Sequence, residues 1–180
     1  LTVVADIAGA TVGDVNALSV TALTAGGAAA TGVPVMGQYF TWSGAAVGGL
    51  TISRSGTISN PKAGAMGAKV AEFQVAETAG TEDIMVNKIA LTNVGSINRE
   101  DLTNLVLKQA GTTVATVAGL TDRDLAVFVL NTPFEIERGN SRVFEVYADI
   151  SGSVRSAETI RFYLDQSSDI LATGKTYGYG

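Results

Sequence analysis

The sequence predicts an antiparallel β-sandwich, and three observations carry that prediction. Runs of alternating apolar and polar residues recur at intervals of about 8–15 residues, bounded by Gly, Asn, Asp and Ser. Nowhere do apolar residues recur at i, i+3, i+4, i+7 over three turns, so no long amphipathic helix is expected. A stretch near the C-terminus also repeats one at the start. Shifting the chain by 143 residues sets "VVADIAG" (Val3–Gly9) on "VYADISG" (Val146–Gly152). After a one-residue gap the match resumes with Leu18 on Ile160 and Val20 on Phe162, and it closes with "ATG" at Ala30–Gly32 on "ATG" at Ala172–Gly174. A match that holds its spacing over about thirty residues reads as an internal repeat with the period of one module.

The elements follow in order. Leu1–Ile7 and Asn16–Leu23 read as strands equivalent to the last two of a later module. The segment from Gly26 to Gly49 is rich in small residues around an aromatic island, and it reads as linker or closely packed edge. Within it Gln38–Trp42 is a candidate strand with Phe40 and Trp42 on one face and Tyr39 on the other. "KVAEFQVA" (Lys69–Ala76) alternates, and "DIMVNKIALTNV" (Asp83–Val94) is long enough to bend near Asn87. "LTNLVLKQ" and "TTVATVAG" flank Ala110–Gly111, a hairpin signal. "LAVFVL" (Leu125–Leu130) has the unbroken apolar character of a strand covered on both faces. "RVFEVYADI" and "ETIRFYLD" alternate again, separated by a turn-rich loop. One helical turn is expected near Asn98, with Glu100 and Asp101 in its first turn. The expected core is Phe73, Val75, Ile84, Val86, Ile89, Leu91, Leu105, Leu107, Val127, Val129, Phe144, Val146, Ile160 and Phe162.

Composition excludes several kinds of chemistry. The 180 residues contain no Cys and no His, so disulfides, thiol catalysis, Ser–His triads and His- or Cys-based metal sites are ruled out. Net charge is −5, which argues against a phosphate-binding surface and so against nucleic acid as a partner. No eighteen-residue run lacks Gly, Pro or polar interruption, so no transmembrane helix is expected. The first residue is Leu, with no basic stretch leading into an apolar one, and we read a mature, processed or partial chain. Residues 1–50 carry only Asp6 and Asp14 as charged groups. A surface so poor in charge suggests a segment covered by something else.

The short motifs that resemble sites do not hold up. "ATGKT" (Ala172–Thr176) lacks the earlier Gly of a phosphate loop, where Asp169 stands, and "YGYG" follows it rather than a helix. "SNPK" (Ser59–Lys62) has no companion motif of the penicillin-recognising enzymes. Asp6 and Asp149 sit at strand exits, where a carboxylate caps backbone N–H groups of the next turn. Acidic pairs at Glu82–Asp83, Glu100–Asp101 and Asp165/Asp169 read as solvated turn carboxylates. If an ion is bound it is Ca²⁺, and Asp122 and Asp124 in "TDRD" are the candidate ligands. Otherwise no cofactor is expected. Tyr39, Phe40, Trp42, Tyr177 and Tyr179 could fill an interface or stack on a carbohydrate. No Asn-x-Ser/Thr acceptor is present.

Four motifs carry a resemblance: "F-x-V" at Phe73–Val75, "V-x-x-I-x-L-x-N-x-G-S" at Val86–Ser96, "L-x-N-L-x-L" at Leu102–Leu107, and "F-x-V-x-A-D-I" at Phe144–Ile150. Over roughly residues 65–174, with a partial copy at 1–32, the chain resembles repeated secreted β-sandwich modules of prokaryotic cell-surface proteins, including surface-layer and extracellular filament proteins. The resemblance implies a sandwich that is immunoglobulin-like in general architecture, and an extracellular, cell-surface location. We therefore expect residues 1–48 to be the C-terminal part of one module plus linker, and 49–180 to be a second, nearly complete module. The expected function is structural and non-catalytic: a subunit of a surface layer, stalk or filament whose partners are other copies of itself. The assembly residues would be Leu1, Val3, Leu18, Val20, Tyr39, Phe40 and Trp42, through strand and edge contacts. An adhesin or carbohydrate-binding module, with a glycan as partner, is the alternative. A hydrolase working with carboxylates alone is a third reading.

Overall fold

The computed structural model describes residues 9, 11–29, 31–42, 44 and 46–180. The described residues are nearly all β, with 49% strand and 4% helix arranged in several antiparallel sheets. It separates into two units at Ala45/Ala46. The expected strand Leu1–Ile7, and Asp6 with it, lies outside the described residues.

The first unit is a long, interrupted β-ribbon. Three two-residue ladders are nested about one turn: β1 (Val15–Asn16) pairs with β6 (Phe40–Thr41), β2 (Ser19–Val20) with β5 (Val35–Met36), and β3 (Thr24–Ala25) with β4 (Ala28–Ala29). Gly26 and Gly27 form the turn with φ of +58° and +84°. Two consecutive positive φ values are what a tight hairpin turn of the right hand requires, and Gly adopts them without steric penalty. The segment read as linker is thus the return limb of this ribbon.

The second unit is a sandwich of two sheets. The strands of one are β7 (Leu50–Arg54), β8 (Ala68–Glu77), β10 (Leu102–Gln109), β11 (Thr112–Gly119) and β13 (Ser141–Ile150), in the order β11-β10-β13-β8-β7. The other has β12 (Leu125–Ile136) and β9 (Ile84–Asn93), with β14 (Phe162–Tyr163) and β15 (Ile170–Gly174) sharing the far edge of β9. The hairpin at Ala110–Gly111 forms as the sequence implies, with φ of +48° and +81°. The single turn near Asn98 is a 3-10 turn, Arg99–Asp101. The bend near Asn87 is a bulge: Leu171 and Ala172 of β15 face Lys88 and Val86, leaving Asn87 without a partner.

Ten of the fourteen expected core residues are buried between the sheets, and Phe73 stacks on Phe144 at 5.7 Å between ring centroids. Ile160 and Phe162 are only partly buried against that core. The phase of β12 is opposite to expectation. Ala126, Phe128 and Leu130 are buried, whereas Val127 is half-buried and Val129 is 63% exposed. A two-residue period allows only one set inside, and the bulky Phe128 ring takes the inner position. β12 is accordingly covered on one face, not two. Ile97, Leu102, Ile136 and Ile150 also belong to the core.

Candidate functional site

The ribbon places most of the expected assembly residues, but not in a core. Leu18 is 56% exposed, Val20 46%, Tyr39 67% and Phe40 41%. Phe40 and Trp42 touch edge-to-face at 5.2 Å, as their shared face implies. Val12, Val15, Leu23, Val35 and Met36 are exposed as well, so apolar side chains meet water along the length of the ribbon. Leu1 and Val3 lie outside the described residues. The aligned positions of the repeat differ in surroundings: Ile160 and Phe162 pack against the sandwich core, while their counterparts Leu18 and Val20 stand in solvent. Asp14 accepts a hydrogen bond from the Thr11 N–H at 3.1 Å.

Asp149 is a structural cap, although its partners are not those of the turn ending at Gly152. Its carboxylate accepts the Gly67 N–H at 2.6 Å and the Asn104 side-chain amide at 2.8 Å. Asn104 stands at φ +49° in the bulge where β10 slips against β13. These bonds hold the Asp149 carboxyl below its ordinary range, the Asn104 amide contributing most.

The "TDRD" segment is a turn organised by its own atoms. Thr121 Oγ1 accepts N–H bonds from Arg123 and Leu125, and Arg99 donates to the carbonyl of Asp122. Asp124 adopts φ +57°. Among the described residues no three Asp or Glu side chains converge where an ion could sit. Asp122 and Asp124 are both exposed on this turn.

Two buried carboxylates form the densest polar cluster of the sandwich: Glu77, which the sequence did not single out, and Glu82, which was expected to be a solvated turn carboxylate and is instead buried. Glu77 is 2% exposed and Glu82 3% exposed. Glu77 accepts N–H bonds from Gly49 at 3.4 Å, Ala79 at 2.9 Å, Gly80 at 3.0 and 2.9 Å, and Gly139 at 2.6 Å. Glu82 accepts from Gly48 at 3.1 Å, Thr176 at 2.9 Å and Tyr177 at 3.2 Å. Burial pushes both carboxyls up, but the converging N–H donors outweigh it and leave both below their ordinary values. The pair thus ties the segment that opens the sandwich, Gly48–Gly49, to the segment that closes it, Thr176–Tyr177. The signal was present in "ETAGTED": a Gly three residues after Glu77 brings backbone N–H groups over its carboxylate. Beside it, Lys175 bonds Glu135 at 2.6 Å and Asp83 at 3.5 Å.

The Glu77–Glu82 cluster is thus satisfied by backbone N–H groups, and the Lys69–Glu72–Glu145 and Lys175–Glu135–Asp83 clusters by ion pairs, whereas Thr81 Oγ1 and one Glu158 carboxylate oxygen are buried without a partner. Family models, curated proteins and solved structures show no match to this chain. What remains unsatisfied is the ribbon, together with a cleft of about 920 Å³ that opens into the sandwich core between β7 and β14.

Proposed function

We propose that the protein is a non-catalytic structural subunit of an extracellular layer, stalk or filament that assembles through contacts between copies. One observation carries this reading: a nearly uncharged ribbon exposes apolar residues from Val12 to Phe40, whereas the positions aligned with Leu18 and Val20 are partly buried against the sandwich core. A lone two-stranded hairpin is marginal in water, and a long apolar edge is a template for pairing with another chain. A heterologous contact of this kind does not close on itself and so propagates. Replacing Leu18 and Val20 together by Asp tests the reading, because both are exposed and neither supports the sandwich. Full-length protein should form polymers by sedimentation and electron microscopy, and the double variant should remain monomeric. A double variant that polymerises as the parent does would refute the proposal.

The exposed aromatics Tyr39 and Phe40 support the alternative of an adhesive or carbohydrate-binding module, since exposed rings are what stacking on a sugar needs. Binding to a glycan array that disappears on Tyr39→Ala would favour that reading.

A further inference from the structure

The sandwich is closed on one side and open on the other. On the closed side β11 and β12 are joined through the turn at Thr121–Asp124. On the open side, among the described residues, β7 pairs only with β8, and β14 reaches only two residues along β9. Between these two free edges lies the cleft of about 920 Å³. Its floor is the core itself, including Val70 and Phe73, and its lips are the coil segments carrying Ile58 and Ile160. We infer that this cleft takes a strand from a second copy of the chain, the limb Leu18–Leu23 of its ribbon, which adds to the free edge of β7 as a sixth strand of that sheet. The inference rests on the assembly reading above and names its acceptor site.

Three features support that occupant. A strand in a sandwich fills about 3.4 Å along its axis, about 4.8 Å between neighbours and about 10 Å between sheets, or on the order of 160 Å³ per residue. A cleft of about 920 Å³ then holds between five and six residues, the length of Leu18–Leu23. That limb alternates Leu18, Val20 and Ala22 against Ser19, Thr21 and Leu23 and carries no charge. It suits a cleft whose charged lining, Arg54, Glu72, Glu158 and Arg161, sums to zero. Glu158 also has a buried carboxylate oxygen without a hydrogen-bond partner. An unpaired buried acceptor of this kind is uncommon in a finished fold, and an added backbone supplies N–H donors.

The occupant we assign is a second copy, and the point where the chain enters the sandwich supports it. Glu82 holds Gly48 beside the end of β8 and the start of β9. The cleft floor includes Val70 at the start of β8, Leu91 late in β9 and Ile150 at the end of β13, which is the opposite end. A ribbon leaving one end and seating at the other end of a neighbour generates a head-to-tail series.

Because the chain has no Cys, introduced thiols report single contacts. Val20→Cys full-length protein is mixed with Ile58→Cys protein under polymerising conditions and oxidised. A parallel mixture pairs Val20→Cys with Val129→Cys, which lies on the outer face of β12. The Val20–Ile58 disulfide dimer should exceed the Val20–Val129 product at least tenfold. If polymers form and the two yields are equal, the cleft is not the acceptor, although assembly itself stands. If no polymer forms, both proposals fall. A chain carrying Val20→Cys and Ile58→Cys together that cross-links within itself at high dilution would show that the cleft takes its own ribbon, and would overturn the inference.

Discussion

Replacing Glu77 by Gln keeps the side chain's shape and removes its charge and one acceptor oxygen. One oxygen of Glu77 receives N–H groups from Gly49, Ala79 and Gly80, and the other from Gly80 and Gly139. In the better of its two orientations, the Gln amide oxygen replaces the first of these. Its NH₂ group then faces the N–H of Gly139, which loses a bond of 2.6 Å and gains no other acceptor. A hydrogen bond to a charged group contributes about 1.5–3 kcal/mol, and a buried donor left unpaired adds a penalty of similar size, so we expect a loss of about 3 kcal/mol. For a sandwich spanning residues 46–180 that corresponds to a fall in Tm of roughly 10 °C. The assay is urea unfolding of the sandwich followed by circular dichroism, with the shift in midpoint at constant slope giving the change. The variant should also lose less stability on acidification than the parent. The folded Glu77 carboxyl titrates below its ordinary value of 4.5, so its contribution is fully present above that value and disappears as pH falls through the lower folded one. A loss under about 1 kcal/mol, or an unchanged acid profile, would refute the idea that this carboxylate organises the end of the sandwich.

Other outcomes follow from the same packing. Phe128→Ala should destabilise the sandwich by about 3–5 kcal/mol, whereas Val129→Thr, on the outer face, should change the denaturation midpoint little. Gly95→Ala should destabilise strongly in thermal melts, because a Cβ there would collide with the backbone of Thr159 and Arg161. The carboxyls of Glu72, Glu77, Glu82, Asp83 and Asp149 are all held below their ordinary values, so Tm should be level from about pH 7 to about pH 5 and fall below about pH 4.

The sandwich was legible wherever a strand has one wet face. In β8, β10 and β13 the alternation of Phe73 with Val75, Leu105 with Leu107, and Phe144 with Val146 marks the core directly. In β12 the run "LAVFVL" is apolar at every position, so it carries no phase, and only the size of Phe128 separates inside from outside. Ile97 and Ile136 sit in a loop and at a strand end, where period-2 reasoning does not extend. Glu77 was overlooked and Glu82 misread as solvated because acids at strand ends usually face water, and the donors that compensate burial come from residues as distant as Tyr177. In the ribbon, Gly26–Gly27 is itself a strong hairpin signal. The small residues around it diluted the alternation, so its pairing of Val15 with Thr41 and Val20 with Val35 was not apparent.

The central claim is that the ribbon builds the assembly and the sandwich only receives it. The direct measurement compares full-length protein with residues 46–180 alone, at equal concentration, by electron microscopy and sedimentation velocity, after circular dichroism has shown equal strand signatures for the sandwich. The account predicts polymers from the full chain and a folded monomer from residues 46–180. Polymers of the same form and length from residues 46–180 would contradict it.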